Sequence, residues 1–339
     1  MNIGIGKYEK FITQNVAPYN AVKIGVYKDN AKQGSFYLQN LRMPVLGRKL
    51  YSFGALSDVH ITYSTATEDF QKALTYLNND VDVAFTCICG DLTVNGTEDE
   101  FLAYKTVVDG YSADTPVYAI TGNHEQVKNT SSSYFQNYTG RPLYYSFEHG
   151  DDVFIMVGEY SWSNYYLFED GQLQWLYETL EANRNKRCFV FFHVFPPNDS
   201  GNADNIYGSD LFSGTQGTAF QNLMKHYKNV IFFHGHSHLR FDLQEIDPKA
   251  NYNESLGYRS VHIPSLSVPR DVNADGTGRV DVYAESEGYV VDVYKNHVVL
   301  RGRDFVADKF LPIAQYCIDT ALVEVEANTF KDSTGLIVT

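Results

Sequence analysis

The sequence predicts one large α/β domain with short flanking segments, and three observations support this fold class. The chain has 339 residues, a length that suits a single large α/β unit with an appendage. From about residue 49 to residue 238, strand-like apolar runs alternate with helix-like segments, as in βαβ units. After residue 239 successive strand-like segments follow. We therefore predict a β-rich extension at 1–47, a domain at 48–319 and a tail at 320–339.

Six apolar runs predict the strands of the first part of the domain. They are KLYSFGALSD, VDVAFTCICGD, TPVYAITGNH, DDVFIMVGEY, KRCFVFFHVF and KNVIFFHGHSH. The segments EDFQKALTYLNND, EDEFLAYKTVVDGY and DGQLQWLYETLEANRNK predict helices between them. The first of these places Phe70, Ala73, Leu74 and Leu77 on one stripe, and all three begin with acidic residues, which suit a helix N-terminus.

Four later segments predict strands and two predict loops. The strands are LRFDLQEI, YRSVHIPSL, EGYVVDVYKN and HVVLRGRDF, with a hairpin turn at YKNH. The loops are 196–217 and 269–281. Long loops in a compact domain are often functional.

Composition argues against several kinds of partner. Hydrophobic residues make up 44% of the chain and charged residues 20%, as in ordinary globular proteins. A net charge of −14 without a Lys/Arg cluster argues against nucleic acid or anionic membranes as partners. We expect neither a membrane span nor a signal peptide, and hence a cytoplasmic protein. The four cysteines predict packed, reduced thiols, and the 26 tyrosines and 22 phenylalanines predict mainly core packing.

Side chains that can bind metal follow five of the apolar runs. In chain order these residues are Asp58, His60, Asp91, Asn123, His124, His193, His236 and His238. In α/β folds, ligands bind at the carboxyl ends of strands. Oxygen and imidazole donors without thiolate suit Zn, Mn, Fe or Co, so the pattern predicts a metal site.

The motifs DVH, GD, GNHE, H and GHSH, in this order, resemble those of the calcineurin-like metallophosphoesterase superfamily over about residues 50–310. The resemblance implies a four-layer α/β/β/α sandwich that binds two metal ions. It implies Asp58, His60 and His238 for one ion, Asn123, His193 and His236 for the other, and Asp91 as the bridge. His124 would then face the substrate.

The residue types fit that chemistry. Two ions about 3.5–4 Å apart can clamp a phosphate and turn a bridging water into hydroxide, which attacks the phosphorus in line. His124 would protonate or stabilise the departing alkoxide.

Residues near the GD motif resemble one branch of the superfamily. GDLTVNGTEDEF, followed by PVYAITGNHE, resembles the cyclic-nucleotide and glycerophosphodiester phosphodiesterases. Val94 and Asn95 replace the Asp-Arg of the protein-phosphatase branch, so the carboxylate that would orient His124 is missing, and Glu125 or solvent would replace it. Val94 also replaces the tyrosine of purple acid phosphatases, which usually lack a histidine at the place of His60, so we do not expect a tyrosinate–iron centre.

We therefore predict a metal-dependent phosphodiesterase, with Mn, Fe or Zn ions and a small-molecule or exposed phosphoester substrate. A phosphomonoesterase of the same fold is one alternative. A non-catalytic binding or structural module that retains the fold is another.

Several residues outside the motifs are further candidates. Loop 196–217 follows His193 and predicts substrate contacts or, alternatively, a solvated loop; its candidates are Asn198, Asn202, Asn205 and Tyr207. Arg270 is either a phosphate contact or an ordinary surface arginine, and we expect Glu125 beside the metal ligands. His234 either contacts those ligands or packs beneath the site. The remaining histidines considered, which we expect to be structural or exposed, are His226, His262 and His297.

Overall fold

The computed structural model describes residues 46–111, 115–128, 132–159, 168, 171–201, 212–245, 247–272 and 279–321, and the backbone of three strands between residues 10 and 39. The candidates Asn202, Asn205 and Tyr207 lie outside the described residues, as does most of the predicted tail.

The described residues contain strands and helices in the alternating order that the sequence predicts. The strands are β1 (Lys10–Val16), β2 (Ala21–Lys28), β3 (Ala31–Gln39), β4 (Lys49–Leu56), β5 (Phe85–Cys89), β6 (Val117–Ile120), β7 (Tyr144–His149), β8 (Asp152–Val157), β9 (Cys188–Phe192), β10 (Val230–His234), β11 (Tyr252–Asn253), β12 (Arg259–His262), β13 (Arg270–Val272), β14 (Arg279–Asp281), β15 (Glu287–Tyr294), β16 (His297–Asp304) and β17 (Lys309–Asp319). The α-helices are α1 (Ala66–Thr75), α2 (Glu98–Tyr111), α3 (Ser133–Thr139), α4 (Gln172–Ala182) and α5 (Gly214–His226).

Two six-stranded mixed sheets form the centre of the domain. The first has the order β17-β16-β15-β4-β5-β6, and the second has the order β11-β12-β10-β9-β8-β7. In the first sheet, β4, β5 and β6 are parallel. In the second, β8, β9, β10 and β12 are parallel. Strands β1, β2 and β3 form a separate antiparallel sheet, and β13 pairs with β14.

Alternate residues of the central strands face the two sides of each sheet, and both sides are buried. In β9, Phe189 and Phe191 pack in the core between the sheets, whereas Val190 and Phe192 pack on the helix side. Helices α1, α2 and α3 cover the outer face of the first sheet, and α4 and α5 cover that of the second. The layers are thus helix, sheet, sheet, helix, and the predicted four-layer sandwich is confirmed.

Most predicted elements are confirmed, with a few differences. The β15–β16 hairpin turns at Lys295 and Asn296, as predicted. The strand prediction for LRFDLQEI is wrong: Phe241–Glu245 forms a 3-10 helix, in which Glu287 accepts the Phe241 N–H at 2.8 Å. The predicted loop 269–281 contains β13 and β14, and the predicted loop 196–217 ends earlier because α5 begins at Gly214. The sequence patterns did not predict α3, α5, β7, β11 or β17.

The four cysteines are free thiols, and Cys87, Cys89 and Cys188 are buried, as predicted. Among the described residues, no helix is both long enough and apolar enough to cross a bilayer.

A buried ion pair ties the two sheets together at the edge where the parallel strands begin. Arg187 donates from Nε and Nη2 to the two carboxylate oxygens of Asp152, at 2.9 and 2.6 Å. Its Nη1 donates to the Tyr294 carbonyl and to Thr320 Oγ1, both at 2.9 Å. Asp152 also accepts from the Tyr51 hydroxyl at 2.5 Å. All three guanidinium nitrogens and both carboxylate oxygens make hydrogen bonds. The pair therefore connects strands of both sheets and leaves no buried charge without a partner.

Removing one partner leaves the other charge buried alone. We expect Arg187→Met to lower the free energy of unfolding by about 3–5 kcal/mol, measured by urea denaturation. Lys105→Met is the control, because Lys105 pairs with Asp109 at 2.8 Å on the exposed surface of α2; there we expect a change of no more than about 0.5 kcal/mol. Similar small losses in both variants would contradict the role of the buried pair.

Candidate metal centre

The eight predicted site residues lie where the carboxyl ends of strands from both sheets meet. Asp58 and His60 follow β4, Asp91 follows β5, and Asn123 and His124 follow β6 in the first sheet. His193 follows β9, and His236 and His238 follow β10 in the second. Parallel strands within each sheet place these ends at one edge, which brings residues from across the sequence together.

Five of these residues have left-handed backbone conformations. The φ angles are 52° at Asp58, 43° at His60, 52° at Asp91, 70° at His236 and 62° at His238. This region is uncommon for residues other than glycine and costs about 1–3 kcal/mol each when the surroundings enforce it. Such strain collects at functional sites, and here it turns each chain sharply off its strand.

Two glycines allow the loops to approach closely. A Cβ at Gly235 would lie 1.9 Å from Ser57 Oγ and 2.4 Å from Asp58 Oδ2. A Cβ at Gly122 would lie 2.3 Å from Asp91 Oδ1. Because any side chain would clash at these positions, only glycine lets the strand ends of the two sheets converge on the carboxylates.

The first cluster contains Asp58, His60, Asp91 and His238, whose ligand atoms all lie within 4.8 Å of one another. Asp58 Oδ1 lies 3.0 Å from His238 Nε2. His60 Nε2 lies 3.1 Å from His238 Nε2 and 3.7 Å from Asp91 Oδ2. All four side chains are buried.

The second cluster contains Asp91, His193 and His236, again within 4.8 Å. Asp91 Oδ2 lies 3.1 Å from His193 Nε2, and Asn123 Oδ1 lies 2.9 Å from His236 Nδ1. Asp91 belongs to both clusters. The structure therefore brings six of the seven predicted ligands into two clusters that share Asp91, and the seventh, Asn123, contacts His236.

Backbone carbonyls orient three of the histidines. His60 Nδ1 donates to Thr93 O at 3.1 Å, His193 Nδ1 to Cys89 O at 2.6 Å, and His238 Nδ1 to Val268 O at 3.0 Å. A carbonyl oxygen only accepts, so Nδ1 carries the proton in the neutral ring. The lone pair is then on Nε2, which faces the cluster, and this is how metal-binding histidines are usually held.

The donor atoms fit metal ions. In the described part of the chain, Asp58 Oδ1 and His193 Nε2 are buried and make no hydrogen bond of acceptable geometry. Buried polar atoms normally have partners, so these two atoms call for a ligand between the clusters. Carboxylate, imidazole and amide donors without thiolate suit divalent first-row ions, and the residues present therefore fit a pair of such ions.

The electrostatics of the buried side chains point to the same need for positive charge. Burial alone would raise the pKa of Asp58 and of Asp91, but neighbouring histidines outweigh it and hold both pKa values well below their usual range. Burial would lower the pKa of His193, yet the carboxylates of Asp91 and Asp58 raise it well above its usual value. Two ionised carboxylates at the centre thus require cations beside them.

Glu125 connects the two loops that carry Asp91 and Asn123. Its Oε2 accepts the backbone N–H groups of Asp91 at 3.0 Å and Gly122 at 2.6 Å. Its Oε1 accepts the backbone N–H and the hydroxyl of Thr93 at 2.8 and 2.9 Å. Burial and the nearby Asp91 carboxylate raise the pKa of Glu125 to about 7. The structure thus places Glu125 beside the predicted ligands, where it holds the loops that carry Asp91 and Asn123 together.

His124 is the most exposed of the eight residues, with 31% of its side chain accessible. Its backbone N–H donates to Asp91 Oδ1 at 2.9 Å, and its Nδ1 donates to the Val94 carbonyl at 2.6 Å. The backbone carbonyl of Val94 therefore orients this ring through Nδ1, in place of the missing carboxylate. Burial would lower the pKa of His124, but the Asp91 carboxylate and the Val94 carbonyl raise it.

A cavity of about 180 Å³ opens over the clusters. Asp91, Asn123 and His124 form part of its wall, and so does Arg270. Tyr63 and Asp281 also line it, although the sequence did not predict either as a site residue. No motif marks these two residues, because their place beside the cavity depends on the tertiary fold.

Other candidates lie elsewhere. Asn198 is exposed and does not line the cavity. His234 is fully buried beneath the site, where its Nε2 lies 2.7 Å from Ser200 Oγ, and it belongs to neither cluster. Of its two alternatives, the packed histidine is correct. His262 is likewise fully buried, and its Nε2 lies 2.9 Å from the Leu239 carbonyl.

Comparison with known proteins places this arrangement in a family. The model of the calcineurin-like phosphoesterase family matches residues 51–240. The chain belongs to the calcineurin-like phosphoesterase family. The match spans the strand ends that carry all eight site residues. With that membership, the paired clusters support a metal-dependent phosphoester hydrolase.

Solved structures of similar fold include phosphatases and one anchor protein. A dimetal phosphatase from Danio rerio has a TM-score of 0.59 at 15% identity, over 81% of this chain and 100% of the other. A purple acid phosphatase from yellow lupin has a TM-score of 0.55 at 13% identity, over 88% of this chain and 59% of the other. The anchor in the inner membrane complex of Plasmodium has a TM-score of 0.55 at 12% identity, over 85% and 92%. No functionally curated protein matches the sequence significantly. At these identities the likeness shows the fold alone.

Replacing Glu125 tests its role in positioning the ligands. In Glu125→Gln the amide group would aim N–H donors at backbone N–H groups, so the loops that carry Asp91 and Asn123 would separate. We expect the affinity for Mn²⁺, measured by calorimetry, to fall by about 10–100-fold while the circular dichroism spectrum is unchanged. Glu98→Gln is the control, since Glu98 is exposed and accepts only from the Tyr138 hydroxyl among its described hydrogen bonds. Equal affinities in the two folded variants would refute the role of Glu125.

Proposed function

We propose that this protein is a metal-dependent phosphodiesterase whose seven clustered residues bind two metal ions. The observation that carries the proposal is that Asp91 belongs to both clusters and that His124 faces the same cavity. Asp58, His60 and His238 would hold one ion, Asn123, His193 and His236 would hold the other, and Asp91 is available to both. Mn, Fe and Zn all suit these donors.

The bound ions would supply Lewis acidity to the phosphate oxygens and would lower the pKa of water at the site. The residues of the chain supply orientation and a proton. Asp91 fixes His124 through the backbone N–H, and the Val94 carbonyl fixes the ring from the other side. His124 Nε2 therefore faces the cavity, where it donates a proton to the leaving oxygen of the ester.

The charges in the cavity wall favour a diester over a monoester. Arg270 is the only Lys or Arg side chain among the described residues that line the cavity, and its Nε donates to Asp281 Oδ1 at 2.8 Å. Beyond the metal ions and His124, a terminal phosphate with two negative charges would find little further positive charge there. A diester carries one negative charge and two organic groups, which suits a wall that also contains Tyr63, Val94 and Val268.

Comparison of two substrates tests the proposed function. With added Mn²⁺, we expect faster turnover of bis(p-nitrophenyl) phosphate than of p-nitrophenyl phosphate, measured by nitrophenolate release. The reverse order would favour the phosphomonoesterase. No turnover of either ester with any divalent metal, in protein that binds two ions, would favour the non-catalytic module. Asp91→Asn is the reference for metal-dependent activity, because it should lose bound metal and turnover together.

His124→Ala separates metal binding from proton transfer. Because His124 is outside both clusters, the variant should still bind two ions, as measured by elemental analysis. Loss of proton donation should lower kcat by about 10²–10⁴-fold. Substrates with a good leaving group, such as p-nitrophenolate, should be affected less than alkyl diesters. Near-wild-type turnover of an alkyl diester would rule out the catalytic role of His124.

A further inference from the structure

Two exposed tyrosines stand beside the mouth of the cavity. Tyr63 lines the cavity with 39% of its surface accessible, and Tyr283 is 52% accessible. Their ring centroids lie 6.5 Å apart with an angle of 28° between the ring planes. Single exposed aromatic side chains are common, but here two of them lie together beside a polar cavity.

Both tyrosines lie on segments attached directly to the first cluster. The Tyr63 N–H donates to the carbonyl of His60 at 2.9 Å. On the other side, the Arg270 N–H donates to the carbonyl of His238 at 2.7 Å, which anchors the β13–β14 hairpin. Tyr283 follows β14 by two residues. The tyrosine pair is therefore held in register with the His60 and His238 side of the site.

The polar groups of the pair are already engaged. The two hydroxyl oxygens lie 3.4 Å apart, and the Tyr283 hydroxyl donates to Asp281 Oδ2 at 3.1 Å. Asp281 in turn accepts from Arg270 through its other oxygen. These hydrogen bonds with Tyr63 and Asp281 raise the pKa of Tyr283 to about 12, so its hydroxyl stays protonated. Because both hydroxyl groups are hydrogen-bonded to neighbouring side chains, the ring faces are the part of the tyrosine pair that a ligand can contact.

We propose that Tyr63 and Tyr283 bind a planar ring of the substrate, and that the substrates are phosphodiesters with an aromatic or heteroaromatic ring on one organic group. The Arg270–Asp281 ion pair holds the hairpin that carries this surface, which places the ring beside the His60 and His238 side of the site. Flat aromatic rings stack on tyrosine faces, whereas the hydroxyl groups of a glycerol or sugar would find the hydroxyl groups of this pair already hydrogen-bonded to each other and to Asp281. This inference rests on the proposed function, since it names the substrate class of the same site.

Binding of phosphinates tests the ring site without turnover, because they carry one negative charge and two organic groups, as a diester does, and their P–C bonds are not hydrolysed. The probes are benzyl(methyl)phosphinate, cyclohexylmethyl(methyl)phosphinate and dimethylphosphinate, titrated by calorimetry into the Mn²⁺-loaded full chain. We expect the benzyl compound to bind about tenfold more tightly than the other two. Tyr63→Leu and Tyr283→Leu should each reduce this preference by at least threefold without changing the dimethylphosphinate affinity. Tyr63→Phe and Tyr283→Phe should keep it, because the rings remain.

Tyr111→Leu is the matched control, since Tyr111 is similarly exposed (41%) at the end of α2. Equal affinities for the benzyl and cyclohexylmethyl compounds would overturn the preference for planar rings. A preference that survives both leucine variants, or no binding of any probe, would also overturn the proposal. Turnover of bis(p-nitrophenyl) phosphate in the same preparation reports on the proposed function separately: hydrolysis without a ring preference refutes only the ring site.

Discussion

Two buried carboxylates impose the main constraint on this structure. Asp58 and Asp91 are fully or almost fully buried, and both stay ionised because imidazoles surround them. Ionised groups in such a place are strongly destabilising unless positive charge lies within a few ångströms. The same edge collects four imidazole donors around the two carboxylates, a set that fits the metal ions that would supply this charge. The left-handed residues and the close glycines follow from it, since side chains can converge so tightly only where the strand ends turn sharply.

Main-chain atoms do much of the orienting at this site. Four imidazole rings each donate from Nδ1 to a backbone carbonyl, and the acceptors are Cys89, Thr93, Val94 and Val268. The Glu125 carboxylate in turn accepts hydrogen bonds from backbone N–H groups. A backbone acceptor is fixed by the strand and loop geometry, so the rings keep their tautomer without a dedicated carboxylate. This explains how His124 can lack the acidic partner that the protein-phosphatase branch provides.

The apolar runs of the sequence were sufficient to predict the central strands, whereas the grouping of the ligands came from the resemblance of the motifs to a known family. Continuous apolar runs mark buried strands, and each cluster residue follows such a run closely. Features that depend on distant contacts could not be predicted. The segment LRFDLQEI alternates like a strand, yet a hydrogen bond to Glu287 and burial of Phe241 fold it into a 3-10 helix. Tyr63 and Tyr283 are 220 residues apart, and no spacing relates them. Likewise, the sequence gives no sign that the Val94 carbonyl would serve His124.

Depth and exposure divide the site into two parts with different physical demands. The clusters are buried, strained and tightly packed, so a substitution there changes the charge balance of the whole edge. The tyrosine pair is exposed and attached through a hairpin, so its side chains can change with little effect on the carboxylates below. A shared fold does not determine activity, so the function of this chain must be argued from the residues of its own site. In this chain the buried strand ends carry the donor side chains that fit metal ions, and we propose that the exposed wall above them selects the substrate.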